Sequence, residues 1–305
     1  MTQATINDLT LEYETFGNPK NPTILLIMGL GSQLIHWPKD FCQQLADRHY
    51  FVIRYDNRDA GLSTKMQHAK TPSMKRVAWS LLFRSTPKLP YTLKDMAQDA
   101  VALLTYLNRE KAHIVGASMG GMIAQLVTIH FPQRVLSLTS IMSTTGNRSL
   151  PKPDPAAIVA LTPPKATVDQ QAIIEHLTGV WKILMSPGYP STDEDLRAHT
   201  AFAFHRNYCP QGTRRQLAAC LCAPDRRSQL QQLSVPTAVI HGSADPLVPF
   251  ACGEDTARNI PGAELFAIEG MAHDFPETLI PRIAGIIESV IKRSQAVSQQ
   301  RASEQ

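Results

Sequence analysis

Cysteine is scarce and odd in number, five in 305 residues. An odd count argues against the disulfide framework of a small secreted domain. Cys220 and Cys222 form a C-x-C pair inside a helical segment, where a two-residue step turns side chains about 200° apart. That is poor geometry for joint chelation, so all five read as structural thiols. No apolar run approaches the ~18–20 residues that span a bilayer, and stable membrane insertion is not expected. The opening residues 1–8 lack the basic start and apolar core of a secretory leader, which makes the cytoplasm the expected location. Neither a G-x-x-x-x-G-K-[ST] phosphate loop nor an H-E-x-x-H zinc pattern occurs. No cofactor and no metal are therefore expected. The formal net charge is only +4 and the sequence pI about 8.8. With no basic repeat and no interleaved aromatic motif, nucleic acid is not an expected partner.

What is present fits one soluble enzyme-sized domain. Hydrophobic residues make up 43% and charged ones 18%, ordinary for a packed core. The length accommodates one large α/β domain with an insertion. Residues 5–16 alternate as an opening strand or hairpin, with Gly17-Asn18-Pro19 as a turn. Strands are expected at 23–28, 51–56 and 135–142, and helices at 38–48 and 92–108, the latter opened by a Thr92/Asp95 capping pair. The alternation of strands and helices then breaks from Gly146 to Leu233. This stretch begins with Pro151, Pro153, Pro155, Pro163 and Pro164 and continues with helical segments at 168–185, 192–207 and 211–222. Strands resume at 236–241 and 264–268, followed by a helix over 276–292. The tail 294–305 is polar and reads as disordered.

The most informative segment is Gly116-Ala117-Ser118-Met119-Gly120, a G-x-S-x-G pattern. Ala112-His113-Ile114-Val115 before it reads as a buried strand, and the apolar run from Met119 to His130 as a helix. A sharp strand-to-helix turn strains its central residue, and Gly116 and Gly120 leave room for the chain to make it. The Ser118 hydroxyl is thereby lifted to the rim of the sheet, beside free N–H groups at a helix start. Serine needs a base, and the base needs an orienting acid. Two later segments supply them. The run Thr237–His241 ends in a small-residue loop carrying Asp245, held by Pro246 and Pro249. The run Glu264–Ile268 ends in a loop carrying His273. The chain order Ser118, Asp245, His273 is the one expected when acid and base follow a serine elbow on successive later strands.

On these segments the chain resembles the α/β-hydrolase superfamily from about Thr5 to Ile291. Within it, Met28-Gly29-Leu30-Gly31, the run from Arg54 to Thr64 and the stretches His241–Pro249 and Gly270–Asp274 are most similar to bacterial esterases related to aclacinomycin methylesterase. The resemblance implies an α/β fold, a mostly parallel twisted sheet flanked by helices, with a helical cap inserted after the sixth strand. The base domain would span residues 1–145 and 234–293, the cap 146–233. It also implies a catalytic Ser118, Asp245 and His273. By position, the oxyanion would be held by the backbone N–H groups of Met119 and Leu30. Many relatives carry His-Gly where this chain has Met28-Gly29, which leaves a backbone donor in place.

The implied reaction is serine-based hydrolysis of a small or medium-sized carboxylic ester. Thioester, lactone and carbon–carbon bond hydrolysis, perhydrolysis and a slow or non-catalytic receptor on the same scaffold stay open. A serine nucleophile argues against the dehalogenase and epoxide hydrolase branches, which need a carboxylate there. Trp181, Phe202, Phe204, His205 and Tyr208 are candidate substrate contacts from the cap. A homo-oligomer stays open. Asp56, Arg58 and Asp59 read more readily as a structural ion-pair network than as catalytic groups. Finally, residues 60–94 contain no Asp or Glu but carry Lys65, Lys70, Lys75, Arg76, Arg84, Lys88 and Lys94. The stretch Met74–Arg84 among them is a candidate amphipathic helix. It reads as a helix packed near the pocket mouth, or as a contact with membrane or acyl chain.

Overall fold

The computed structural model describes residues 2–83, 87–160 and 169–303. Arg84, Pro163 and Pro164 lie outside the described residues. Eight strands form one sheet: β1 (Thr2–Ile6), β2 (Leu9–Phe16), β3 (Thr23–Ile27), β4 (Phe51–Tyr55), β5 (Ala112–Ala117), β6 (Val135–Ile141), β7 (Thr237–Gly242) and β8 (Glu264–Ile268). Their spatial order is β1-β2-β4-β3-β5-β6-β7-β8. The β1–β2 hairpin joins β4 antiparallel, and every pairing from β4 through β8 is parallel.

Central strands covered on both faces have no solvent side, so their sequences are apolar without alternation. β3 is Thr-Ile-Leu-Leu-Ile, buried throughout. Its alternate residues nevertheless serve different cores. Leu25 and Ile27 join the cluster built with α3 (Leu93–Tyr106) and α4 (Met119–His130). Ile24 and Leu26 join the opposite cluster, with α1 (Lys39–Asp47) and α11 (Ile280–Ser303). Helix α3 starts as its sequence suggests: Asp95 N–H donates to Thr92 Oγ1 at 3.3 Å, and Thr92 N–H donates to Asp95 Oδ2 at 2.7 Å. A further helix, α2 (Met74–Leu82), lies between β4 and α3.

Between β6 and β7 run α5 (Pro155–Ala160), α6 (Gln170–Leu184), α7 (Asp193–Arg206), α8 (Pro210–Leu221) and α9 (Arg227–Leu230), and α10 (Phe250–Arg258) follows β7. Two buried ion pairs tie the insertion between β6 and β7 to the loop after β4. Arg206 reaches Asp56 at 2.8 Å, and Arg215 reaches Asp59 at 2.7 Å. Arg58 pairs with Asp99 of α3 at 2.6 Å. Asp56, Arg58 and Asp59 thus form the structural network expected of them. Removing one partner of such a buried pair typically costs about 3–5 kcal/mol, because the other charge is left uncompensated.

The tail departs from expectation. Helix α11 does not stop near residue 292 but continues to Ser303. An established helix gains one hydrogen bond per added residue, and no glycine or proline follows Gly285 to interrupt it. Polar composition alone did not report this, since Ser294 is buried within the same helix.

His113 on β5 gives the fold a measurable acid sensitivity. It is buried, with Nδ1 2.9 Å from Ser137 Oγ on β6. Burial pushes its pKa down from 6.5 to about 4. Below pH 6.5 the unfolded chain takes up a proton that the folded chain refuses until about pH 4, so stability falls across that window and is unaffected above it. At pH 5 the loss is about 2 kcal/mol. We predict that the urea midpoint drops between pH 7 and pH 5, and that His113→Gln flattens this slope. Parallel slopes for the two proteins would assign the effect to other groups.

Candidate active site

Ser118 sits between the last residue of β5 and the first of α4, with φ 55° and ψ −120°. A non-glycine residue in that region is strained, and the surroundings must hold it there. They do so from both sides. Ser118 N–H donates to Ile141 O at 2.9 Å, and the Ser143 hydroxyl donates to Ser118 O at 2.8 Å. The two flanking glycines have steric reasons. A Cβ on Gly116 would lie 2.1 Å from Gly120 O, and one on Gly120 would lie 2.0 Å from Ile27 O. Helix α4 can approach the sheet this closely only because both positions lack a side chain.

His273, in the loop after β8, bridges the other two residues. Its Nε2 is 2.9 Å from Ser118 Oγ, and its Nδ1 is 2.7 Å from Asp245 Oδ2. Asp245, in the loop after β7, uses its second oxygen to accept the N–H groups of Leu247 and Val248 at 2.9 and 2.8 Å. Burial pushes the Asp245 carboxyl toward neutrality. The His273 imidazole and its hydrogen bond, the nearby His241 ring and the Val248 N–H outweigh it and hold the pKa well below the carboxylate range. An ionised Asp245 accepts from Nδ1–H, which leaves Nε2 free to accept the Ser118 hydroxyl proton. The sequence had suggested these three residues from separate segments, and the fold brings them into one hydrogen-bonded chain.

The loop carrying His273 is strapped to the insertion at the end of α6. His273 N–H donates to Leu184 O at 3.0 Å, and Ala272 N–H donates to Ser186 Oγ at 2.7 Å. The Ser186 hydroxyl in turn donates to Asp274 Oδ1, and its N–H to Oδ2 at 3.2 Å. Sequence reading missed Ser186. It belongs to no motif and meets Asp274 across 88 positions.

The other wall is the loop after β3. A Cβ built on Gly29 would lie 3.1 Å from Ser118 Cβ and 3.6 Å from its Oγ, so this loop runs directly against the serine. Among the described residues, neither Leu30 N–H nor Met119 N–H donates a hydrogen bond to the protein. The adjacent Gly31 N–H donates to Gln216 Oε1 at 2.8 Å, and Gln216 Nε2 donates to Arg58 O at 2.7 Å. Gln216, on α8 and fully buried, is a second residue that no local pattern singled out.

The suggested contacts from the insertion divide. Trp181 is half-buried and stacks on His36, ring centroids 5.6 Å apart. Phe204 and Tyr208 are partly buried and pack together at 5.2 Å. Phe202 is 59% exposed, and His205 is exposed. The cause is helical period. Thr200 faces inward on α7. Phe202 then lies about 200° and His205 about 140° around from it, while Phe204 lies about 40° away. Among the described residues, no group of three or more His, Cys, Asp or Glu side chains is arranged to hold a metal ion. Among them, too, no helix is long and apolar enough to cross a membrane.

Comparison with known proteins agrees with this architecture. Rhodomycin D methylesterase DauP of Streptomyces sp. (strain C5) is 27% identical, the match covering 93% of this chain and 95% of that protein. 3-Oxoadipate enol-lactonase 2 of Acinetobacter baylyi is 29% identical over 87% of each. Among solved structures, a hydrolase from Pseudomonas aeruginosa superposes with a TM-score of 0.68 at 25% identity, covering 95% of this chain and 97% of that one. Residues 22–176 match the family defined by the alpha/beta hydrolase fold. The parallel sheet, the strained serine between β5 and α4 and this match together place the chain in the α/β hydrolase fold family.

Proposed function

We propose that this protein is a serine hydrolase that cleaves a carboxylic ester of a small or medium-sized molecule through an acyl-enzyme. The observation that carries the reading is the unbroken relay from Asp245 Oδ2 through His273 to Ser118 Oγ, both links within 3 Å. His273 Nε2 takes the hydroxyl proton as Ser118 Oγ attacks the ester carbonyl. Asp245 keeps the imidazole in the tautomer that can accept, and stabilises the imidazolium once formed. The N–H groups of Met119 and Leu30 receive the developing oxyanion. His273 then protonates the departing alkoxide, and the alcohol leaves an acyl group on Ser118. Water, deprotonated by the same imidazole, attacks that acyl group and releases the acid.

The substrate class rests on the relatives: one is named for hydrolysis of a methyl ester and another for an enol-lactone. Both are oxygen esters, so a lactone is the second reading. The insertion over residues 146–233 is proposed as the cap. Its grip on the His273 loop through Leu184 and Ser186 makes the position of the base depend on where the cap sits.

A fluorophosphonate probe should label Ser118 at one equivalent per chain and abolish hydrolysis of p-nitrophenyl acetate in step with labelling. Ester binding with no multiple-turnover cleavage would favour a receptor on the same scaffold and overturn the hydrolase.

A further inference from the structure

We propose that helix α2 docks this protein reversibly on the anionic headgroup layer of a lipid bilayer. Among the described residues, the side of the helix that carries Val77 meets the body of the protein. Val77 is buried, at 1% exposed, and α2 packs on α8. The opposite side carries large rings in water: Trp79 is 63% and Phe83 56% exposed, with centroids 4.2 Å apart. At 100° per residue, Lys75, Trp79, Phe83 and Arg76 fall within an arc of about 100°, on the far side from Val77. Two aromatic rings in contact between two exposed cations form a contiguous apolar patch with a charged rim.

Charge selects the occupant. No Asp or Glu occurs from residue 60 to residue 94. Among the described residues, no ion pair engages Lys70, Lys75, Arg76 or Lys88, all of them exposed. These cations are not neutralised by the protein itself. A second copy of the chain would bring the same cations face to face across a two-fold axis, which disfavours self-association through this patch. An anionic lipid surface offers what both components need. Indole and phenyl rings settle at the headgroup level, and lysine and arginine meet the negative surface around them. A single short helix of this kind gives reversible adsorption and not insertion.

The test uses the full chain and needs no turnover. Vesicles of phosphatidylcholine with about 30% phosphatidylglycerol should sediment the protein at low salt, with at least ~10-fold tighter binding than phosphatidylcholine alone. Raising salt to about 0.5 M should weaken that binding about 10-fold, because exposed charges are then screened within a few ångström. Tryptophan emission should shift to the blue on binding. Trp79→Ala should remove that shift, and Trp79→Ala/Phe83→Ala and Lys75→Gln/Arg76→Gln should each weaken binding about 10-fold. These side chains are exposed, so the variants should keep wild-type melting temperatures and wild-type cleavage of a soluble ester. The proposal is overturned if the wild type does not sediment, if neutral vesicles bind it equally, or if both variants bind like wild type. It is overturned equally if the patch instead drives dimerisation that the aromatic variant abolishes.

Discussion

Ser118→Ala should leave a folded protein with ester turnover lowered by about 10⁴–10⁶, the range seen when a serine nucleophile is deleted from an intact site. The separation between stability and activity follows from the geometry. The Ser118 hydroxyl bonds to His273, while the strained turn is held by backbone bonds at Ser118 N–H and O that alanine retains. Alanine suffers the same positive φ as serine, so little backbone strain is added. Packing is equally untouched, since the removed oxygen faces the imidazole. The measurement is kcat on p-nitrophenyl acetate beside a thermal melt. A melt within a few degrees and turnover near background are expected. Near-normal turnover in the folded variant would place the nucleophile elsewhere.

The second large effect is predicted for Asp245→Asn, a loss of up to about 10⁴ in kcat on the precedent of serine protease triads. The two carboxylate oxygens have separate tasks. Oδ1 accepts the Leu247 and Val248 N–H groups, and an asparagine carbonyl can do the same. Oδ2 faces His273 Nδ1, and there asparagine must present its NH₂ group. A donor facing Nδ1 forces the ring proton onto Nε2. The imidazole then points a hydrogen at Ser118 Oγ and cannot accept its proton. The loop geometry survives while the tautomer is wrong, so the defect should appear in kcat with the melting temperature little changed. His241, whose Nε2 lies 3.6 Å from Oδ2, offers no acceptor that could restore the original tautomer. An unchanged rate would assign the orienting role to another acid.

Much of the site could be read along the chain, for reasons that are local. A nucleophile on a strand-to-helix turn requires glycine on both sides, because helix and strand meet at backbone contact distance. Gly116 and Gly120 stand where a Cβ would strike Gly120 O and Ile27 O. Buried parallel strands need mostly apolar runs without alternation, so β3 is visible as such, and so is β5 apart from His113. The capping pair Thr92 and Asp95 announces α3, because both of its hydrogen bonds close within four residues.

Other features have no local signature. Ser186 looks like any loop serine, and Gln216 like any helical glutamine. They brace the two walls of the site through partners 86 and 185 positions away. Trp79 and Phe83 could equally have packed against the pocket mouth or faced water. Their exposure depends on which side of α2 meets α8.

The sequence by itself determined the strands of the sheet, the helices flanking Ser118 and which chemical groups stand at their ends, since dihedral preference, burial period and capping act between near neighbours. It did not determine the extension of α11 beyond residue 292. Only the tertiary structure decided that Ser118 and His273, 155 positions apart, share a hydrogen bond, and which side chains of the insertion turn inward. Those outcomes depend on how the sheet twists and how the insertion is clamped through Arg206 and Arg215. Contacts of that range have no periodic trace in the chain, because they are fixed by the packing of whole elements.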